Sequence, residues 1–279
     1  MEITIFTGIL IFVLAFFAEL SDSSLGMGYG TALSPILLFM GFEPLEVVPA
    51  ILVSEFITGI LAGFAHQSQG NISLAGATSG GTVTLNTTEA QKPSFLPSLI
   101  GQDMKTLLLF SACGVIGSLS AAFAAVKLNP LYVKSYIAIL ILATGLILII
   151  TRNKKYSFSW KRLGAVGLIA SFNKGISGGG YGPLVTGGQI LSGVPEKKAI
   201  ALTSFSEGIT CLAGVIIYML YNNPFQSPLL PILVCAGAMS VPFAALFVKK
   251  INTQKLRGAV GWVTLGLGIF SLSKIIFAF

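Results

Sequence analysis

Charged side chains and glycine clusters recur in this chain at one fixed interval. Gly26-Met27-Gly28-Tyr29-Gly30 is answered 152 residues later by Gly178-Gly179-Gly180-Tyr181-Gly182. The same interval carries Ser54-Glu55 onto Ser206-Glu207, and Asp22 onto Lys174. Glycine tolerates backbone angles that other residues avoid, and it lets a ligand or a second backbone come close. Where the chain resumes as helix, at about Thr31 and Leu184, unsatisfied N–H groups and a partial positive charge gather at the helix start. Two such starts brought together would form a site for an anion.

The neighbouring residues fit that chemistry. Lys174 supplies a positive charge for an anionic substrate, and Asp22 balances it when the site is empty. Ser21 and Asn173, one position earlier in each repeat, offer hydrogen bonds to oxyanion groups. Tyr29 and Tyr181 stand inside the breaks and complete the binding set of Gly26, Gly28, Gly30, Gly178, Gly180 and Gly182. The competing structural reading is an Asp22–Lys174 ion pair that locks the repeats, with the glycines serving only close helix packing. Glu55 and Glu207 lie well inside their helices as proton carriers or as hydrogen-bonding glue between helices. Glu19 precedes only the first break, so the repeat assigns it no role. No metal-ligand spacing is present, and no cofactor is expected.

These residues need apolar elements to hold them. The first stretch runs from about Ile3 to Met40, broken over Ser21–Gly30. Spans follow near Pro44–His66, Met104–Val126 and Leu131–Ile150. The second half repeats the plan with a broken stretch at Leu163–Ser192, then spans near Glu196–Tyr221, Pro228–Val248 and Gly258–Phe277. The expected organisation is a first membrane repeat over 1–151, a basic cytoplasmic linker over 152–162 and a second membrane repeat over 163–279. A polar loop over 67–103 interrupts the first repeat and has no counterpart in the second.

Basic residues discriminate between two topologies. If each broken stretch crosses once, Lys and Arg divide evenly between the two sides. If each instead dips in and returns, Lys92, Lys105, Arg152, Lys154, Lys155, Lys161, Arg162, Lys197, Lys198, Lys249, Lys250, Lys255 and Arg257 fall on one side. Only Lys127, Lys134 and Lys274 then oppose them. Positive residues favour the cytoplasmic side, which selects the second arrangement. Three full crossings per half is an odd number, so the two repeats are expected to be inverted relative to each other.

Composition sets the class. The chain is 54% hydrophobic and 10% charged, with a mean hydropathy of +0.86. Soluble domains carry about 25% charged residues. The apolar runs leave no room for a soluble catalytic domain, and the net charge of +7 sits between spans, where it controls topology. Nucleic acid is therefore not an expected partner. Cys113, Cys211 and Cys235 read as buried free thiols, and His66 as a solvated side chain at the end of a span.

Two other functions share some of these residues. Gly175-Ile176-Ser177-Gly178 matches the motif around the serine nucleophile of an intramembrane protease, but Ser177 needs a base, and His66 is the only histidine. Gly-Tyr-Gly segments also build cation-channel filters from backbone carbonyls. There is no Gly-x-x-x-x-Gly-Lys-Ser/Thr stretch to drive pumping with nucleotide, so ion or substrate gradients must supply the energy.

The glycine-rich break in each half, the apolar helix after it and the twofold repeat resemble the TauE/SafE family of sulfite exporters. The resemblance covers most of the chain and is carried by Gly26, Gly28 and Gly30 with Gly178, Gly180 and Gly182. It implies a membrane carrier for small anions, often sulfur-containing acids such as sulfite or sulfonates, and commonly export from the bacterial cytoplasm. The expected protein is thus an all-α integral membrane protein of two inverted repeats, each a re-entrant helix pair plus three transmembrane helices. Its expected partners are a small anion, the lipid bilayer and protons, with a homodimer as one assembly the sequence allows.

Overall fold

Gly26 and Gly178 end two long helices in the same way. In the computed structural model each adopts a left-handed backbone, with φ of 66° and 72°. Each returns its N–H to the carbonyl four residues earlier, Gly26 to Asp22 and Gly178 to Lys174. A side chain at either position would strain that turn, so the glycines stop α1 (Ile5–Leu25) and α6 (Trp160–Ser177) where they do. Capping hydroxyls start the same helices: Thr4 accepts from the Thr7 N–H, and Ser159 from the Arg162 N–H.

The structure describes residues 3–68, 70, 72, 101–151, 159–192, 194–221 and 227–247, with isolated positions from 262 to 273. Among these the chain is helical, with no strand. After each break a short helix follows, α2 (Tyr29–Phe39) and α7 (Tyr181–Leu191), and then a long one, α3 (Pro44–Ser68) and α8 (Glu196–Tyr221). These helices start at positions that repeat with the sequence interval. The set is completed by α4 (Gln102–Lys127), α5 (Pro130–Thr151) and α9 (Leu229–Phe247). Helix α6 begins at Trp160, so Lys161 and Arg162 lie in its first turn. The connector at Arg152–Lys155, and most of the expected span at Gly258–Phe277 and of the loop over 67–103, lie outside the described residues.

Among the described residues, four helices are long and apolar enough to cross a membrane: α1, α3, α4 and residues Lys197–Tyr221 of α8. The distribution of side chains matches that solvent. Large apolar groups such as Phe6, Phe17, Phe64, Ile116 and Leu220 face outward, while Glu19, Asp22, Glu55, Lys174 and Glu207 are buried. Hydrocarbon outside the bundle removes the cost of exposed apolar surface and drives ionisable groups inward.

Contacts along the helices give their directions. Gly214 faces Leu52, Gly208 faces Ile60, and Gly63 faces Phe205, so α3 and α8 pack antiparallel at the centre. Gly167 faces Phe110 and Cys113 while Gly175 faces Ser118 and Ala121, so α4 and α6 run parallel. Gly180 lies beside Asn173 and Gly188 beside Val166, which brings α7 back along α6. The two halves also interlock, because α4 packs on α6 and α8 while α9 packs on α1 and α3. Small residues at these crossings permit the close approach that holds helices together without a hydrophobic driving force.

Two sequence expectations need correction. His66 is buried, only 3% exposed, because its ring turns inward to the end of α1, with Nε2 3.3 Å from the Ser23 carbonyl oxygen. Cys235 is exposed on the outer face of α9, whereas Cys113 and Cys211 are buried. An apolar helix at the edge of a bundle turns one side to lipid, and hydropathy alone does not say which.

Candidate functional site

The two breaks meet each other. Ser34 donates to the Ser177 carbonyl at 2.8 Å, and its counterpart Thr186 donates to the Gly26 carbonyl at 2.8 Å. Gly30 abuts the Gly178 carbonyl, and Gly182 abuts the Gly26 carbonyl, so closely that neither glycine has room for a β-carbon. Across the junction the Gly180 N–H donates to Thr31 Oγ1 at 3.1 Å. The hydroxyl and glycine contacts recur in both directions, whereas the Gly180–Thr31 bond does not, since Pro183 stands at the position equivalent to Thr31.

Helices α3 and α8 bring their carboxyl groups to this junction. Glu55 and Glu207 each sit close to the middle of their helix. Lys174, from the last turn of α6, lies between them with 1% exposure. Its ammonium group pairs with Glu207 Oε1 at 2.7 Å and also with Glu55 Oε2. The other Glu55 oxygen accepts the Gly30 N–H at 3.3 Å, and Asp22 Oδ1 accepts the Tyr29 N–H at 3.2 Å. Two carboxylates thus occupy the electropositive start of α2, the place where an anion is favoured. Cys211 adds a long thiol contact to Glu55 Oε2 at 3.9 Å.

The Asp22–Lys174 ion pair of the competing structural reading is not formed; Lys174 pairs with Glu55 and Glu207 instead. Asp22 is directed to the α2 backbone, and the glutamates reach Lys174 from the central antiparallel pair. Ser21 is not drawn into the cluster, since its hydroxyl donates to the Phe17 carbonyl at 3.0 Å. Asn173 accepts the Tyr136 phenol through Oδ1, which ties α6 to α5. Tyr29 and Tyr181 are buried, and their phenols meet Ser54 and Ser206, each at 2.9 Å, anchoring each short helix to the long one that follows. Gly28 and Gly180 hold positive φ at the starts of α2 and α7.

Glu19 belongs to the same polar interior. Its Oε1 accepts from Ser23 at 2.6 Å and its Oε2 from Thr58 at 3.1 Å. The spacing from Glu19 to Asp22 places both on one helix face, and that was the signal available for it in the sequence. Beside these groups lies a small cavity lined by Glu19, Asp22, Glu55, Glu207 and hydroxyls of Ser23, Thr58 and Ser204, with room for about one water molecule.

Neither alternative chemistry gains support from the geometry. Ser177 Oγ donates to the Asn173 carbonyl at 2.6 Å and accepts the Gly179 N–H at 3.1 Å, closing the end of α6. His66 meets the Ser23 carbonyl and not Ser177. The Gly26 and Ser177 carbonyls accept hydroxyl groups from the opposite half, where a cation filter would turn them to a pore.

Comparison with known proteins agrees with this architecture. The family model "Sulfite exporter TauE/SafE" matches residues 98–271, more than half of the chain. A curated relative, "Probable membrane transporter protein YtnM" of Bacillus subtilis (strain 168), is 25% identical over 260 residues, which covers 88% of this chain and 75% of the relative. No solved structure matches the chain. The chain belongs to the TauE/SafE sulfite exporter family and is a multi-pass integral membrane transporter, not an enzyme.

Proposed function

We propose that the protein is a secondary transporter that exports a small sulfur-containing anion, sulfite or a sulfonate, by alternating access around the junction of the two glycine breaks. The observation that carries this reading is Lys174, a buried cation placed where both breaks and both central helices converge. Glu55 holds the Lys174 ammonium with one oxygen and the Gly30 N–H with the other. An oxyanion with two oxygens on one centre presents the same pair of acceptors. On this reading Glu55 is the resident stand-in for substrate, and the anion displaces it when the site opens.

The inverted arrangement follows from the same reading. Antiparallel packing of the equivalent helices α3 and α8 supports a pseudo-twofold axis in the membrane plane. The return of α7 along α6 supports a broken segment that enters the bilayer and turns back. Gly30 is level with the middle of α3, which supports a site at mid-depth. Rocking of one repeat against the other would then expose the junction to each side in turn. Export of an anion from a negative interior is favoured by about 2.3 kcal/mol per charge per 100 mV, so the membrane potential can drive it.

Thermal unfolding of the purified protein with sulfite, sulfoacetate, taurine and simple carboxylates tests the reading. A specific ligand raises apparent stability by mass action, so one or more sulfur oxyanions should stabilise the parent and none should stabilise Lys174→Gln. Equal shifts in parent and variant would remove Lys174 from the site, and no shift with any anion would remove the anion reading.

A further inference from the structure

The duplicated interior is not symmetric in charge. Under the repeat, Glu19 corresponds to Ser171, Asp22 to Lys174, and Ser204 to Leu52. Glu55 and Glu207 correspond to each other and stand between these two sides. On one side the Lys174 ammonium pairs with both glutamates. On the other side there is no cationic side chain among the lining residues, but two further acids and the small cavity. Two buried atoms of residues lining that cavity, Glu207 Oε2 and Ser204 Oγ, have no hydrogen-bond partner within the protein. The two residues are each 3% exposed.

We propose that this cavity is a proton-binding site, and that a mobile proton there does for the Asp22 side what Lys174 does permanently for the other. Four carboxyl groups and one ammonium share the interior. Burying all four as anions would leave three negative charges uncompensated in a medium where each is costly. Every other titratable group facing the cluster is a neutral partner or already committed. Cys211 on α8 touches Glu55, the Tyr29 and Tyr181 phenols meet Ser54 and Ser206, and His66 on α3 meets the Ser23 carbonyl. The proton therefore resides on the carboxyl oxygens of Asp22, Glu19 or Glu207, and a protonated carboxyl can donate to a hydroxyl such as Ser204 Oγ. A metal ion fits less well: among the described residues no three or more His, Cys, Asp or Glu side chains are spaced to hold one. The space suits about one water or hydronium.

The inference rests on the transport reading only for the use made of the proton, and its test does not require a substrate. Infrared difference spectroscopy of the purified parent in potassium and in sodium buffers reads buried carboxyl protons directly. Exposed carboxyls are ionised at neutral pH. The expected result is a protonated-carboxyl stretch that persists at neutral pH, disappears at alkaline pH, is the same in sodium and potassium, and is diminished in Asp22→Asn and in Glu19→Gln. Absence of that stretch in the parent, or its displacement by sodium, overturns the proposal, and the parent measurement alone suffices if a variant fails to fold. A carboxyl stretch in a protein that no anion stabilises would sink the transport reading and keep the proton site. Stabilisation by an anion without the stretch would do the reverse.

Discussion

Gly30 lies against the carbonyl oxygen of Gly178, with no space between them for a β-carbon, and the opposing contact is backbone that cannot swing aside. Gly182 stands in the same relation to the Gly26 carbonyl. Neither glycine has positive φ, so the requirement comes from the approach of the two halves and not from local backbone angle. Gly30→Ala and Gly182→Ala should each cost about 1–3 kcal/mol, the usual effect of forcing atoms into a packed interior. Gly187→Ala is the control, since nothing lies within 4 Å of the position its β-carbon would take. Thermal unfolding in detergent should show losses at positions 30 and 182 and none at 187. Equal stability of all three variants would mean the halves do not meet at the breaks.

Lys174 offers a second test, of its double pairing. Removing one partner of a buried ion pair leaves an uncompensated charge and costs about 3–5 kcal/mol, whereas replacing the whole set with neutral groups can be tolerated. Lys174→Met should therefore unfold at markedly lower temperature. Adding Glu55→Gln and Glu207→Gln to it should restore much of the loss. If the triple variant is no more stable than Lys174→Met, the two glutamates are not the partners. Rescue of folding without rescue of anion binding would separate the structural role of the lysine from the one proposed in transport.

Much of the frame was legible because the chain carries it twice. The repeated motif marked the ends of α1 and α6 and the starts of α2 and α7, and the same interval brought α3 and α8 into register. Partner choice was not legible. Asp22 and Lys174 occupy equivalent positions in sequence, which suggested a pair, but equivalence in sequence does not oblige two residues to touch. Lys174 instead meets the glutamates of the two helices that pack antiparallel at the centre. Ser21 shows a second limit: adjacent to Asp22 in sequence, it points along a different face of α1 and spends its hydroxyl on Phe17. The environments of His66 and Cys235 depended on which face of a helix meets protein and which meets lipid, and uniformly apolar helices carry little periodic signal for that.

The three cysteines test the bundle's inside and outside. Cys235 is exposed on the apolar rim, while Cys113 and Cys211 are buried between helices. A lipid-soluble maleimide applied to the folded protein in bilayers should modify Cys235 well before the other two, with all three reacting after denaturation. Peptide mass spectrometry reads the order. Modification of Cys211 ahead of Cys235 would place α8 at the rim and exclude it from the centre, and the proposed site would lose one of its walls.

The antiparallel crossing of α3 and α8 makes the most direct claim about the relation of the two halves. Leu52 faces Gly214 near one end of the crossing and Gly63 faces Phe205 near the other. Paired cysteines at 52 and 214, or at 63 and 205, should therefore be joined by a short thiol-reactive cross-linker. The exchanged pairs, 52 with 205 and 63 with 214, are separated by roughly 16 Å along a helix at its usual rise and should not be. A cysteine-free background keeps Cys211, close to this crossing, from competing. Cross-linking of the exchanged pairs in preference to the facing ones would require parallel helices. Two equivalent helices that run parallel are related by an axis along their length, so that result would rule out the inverted arrangement while leaving membership of the family untouched.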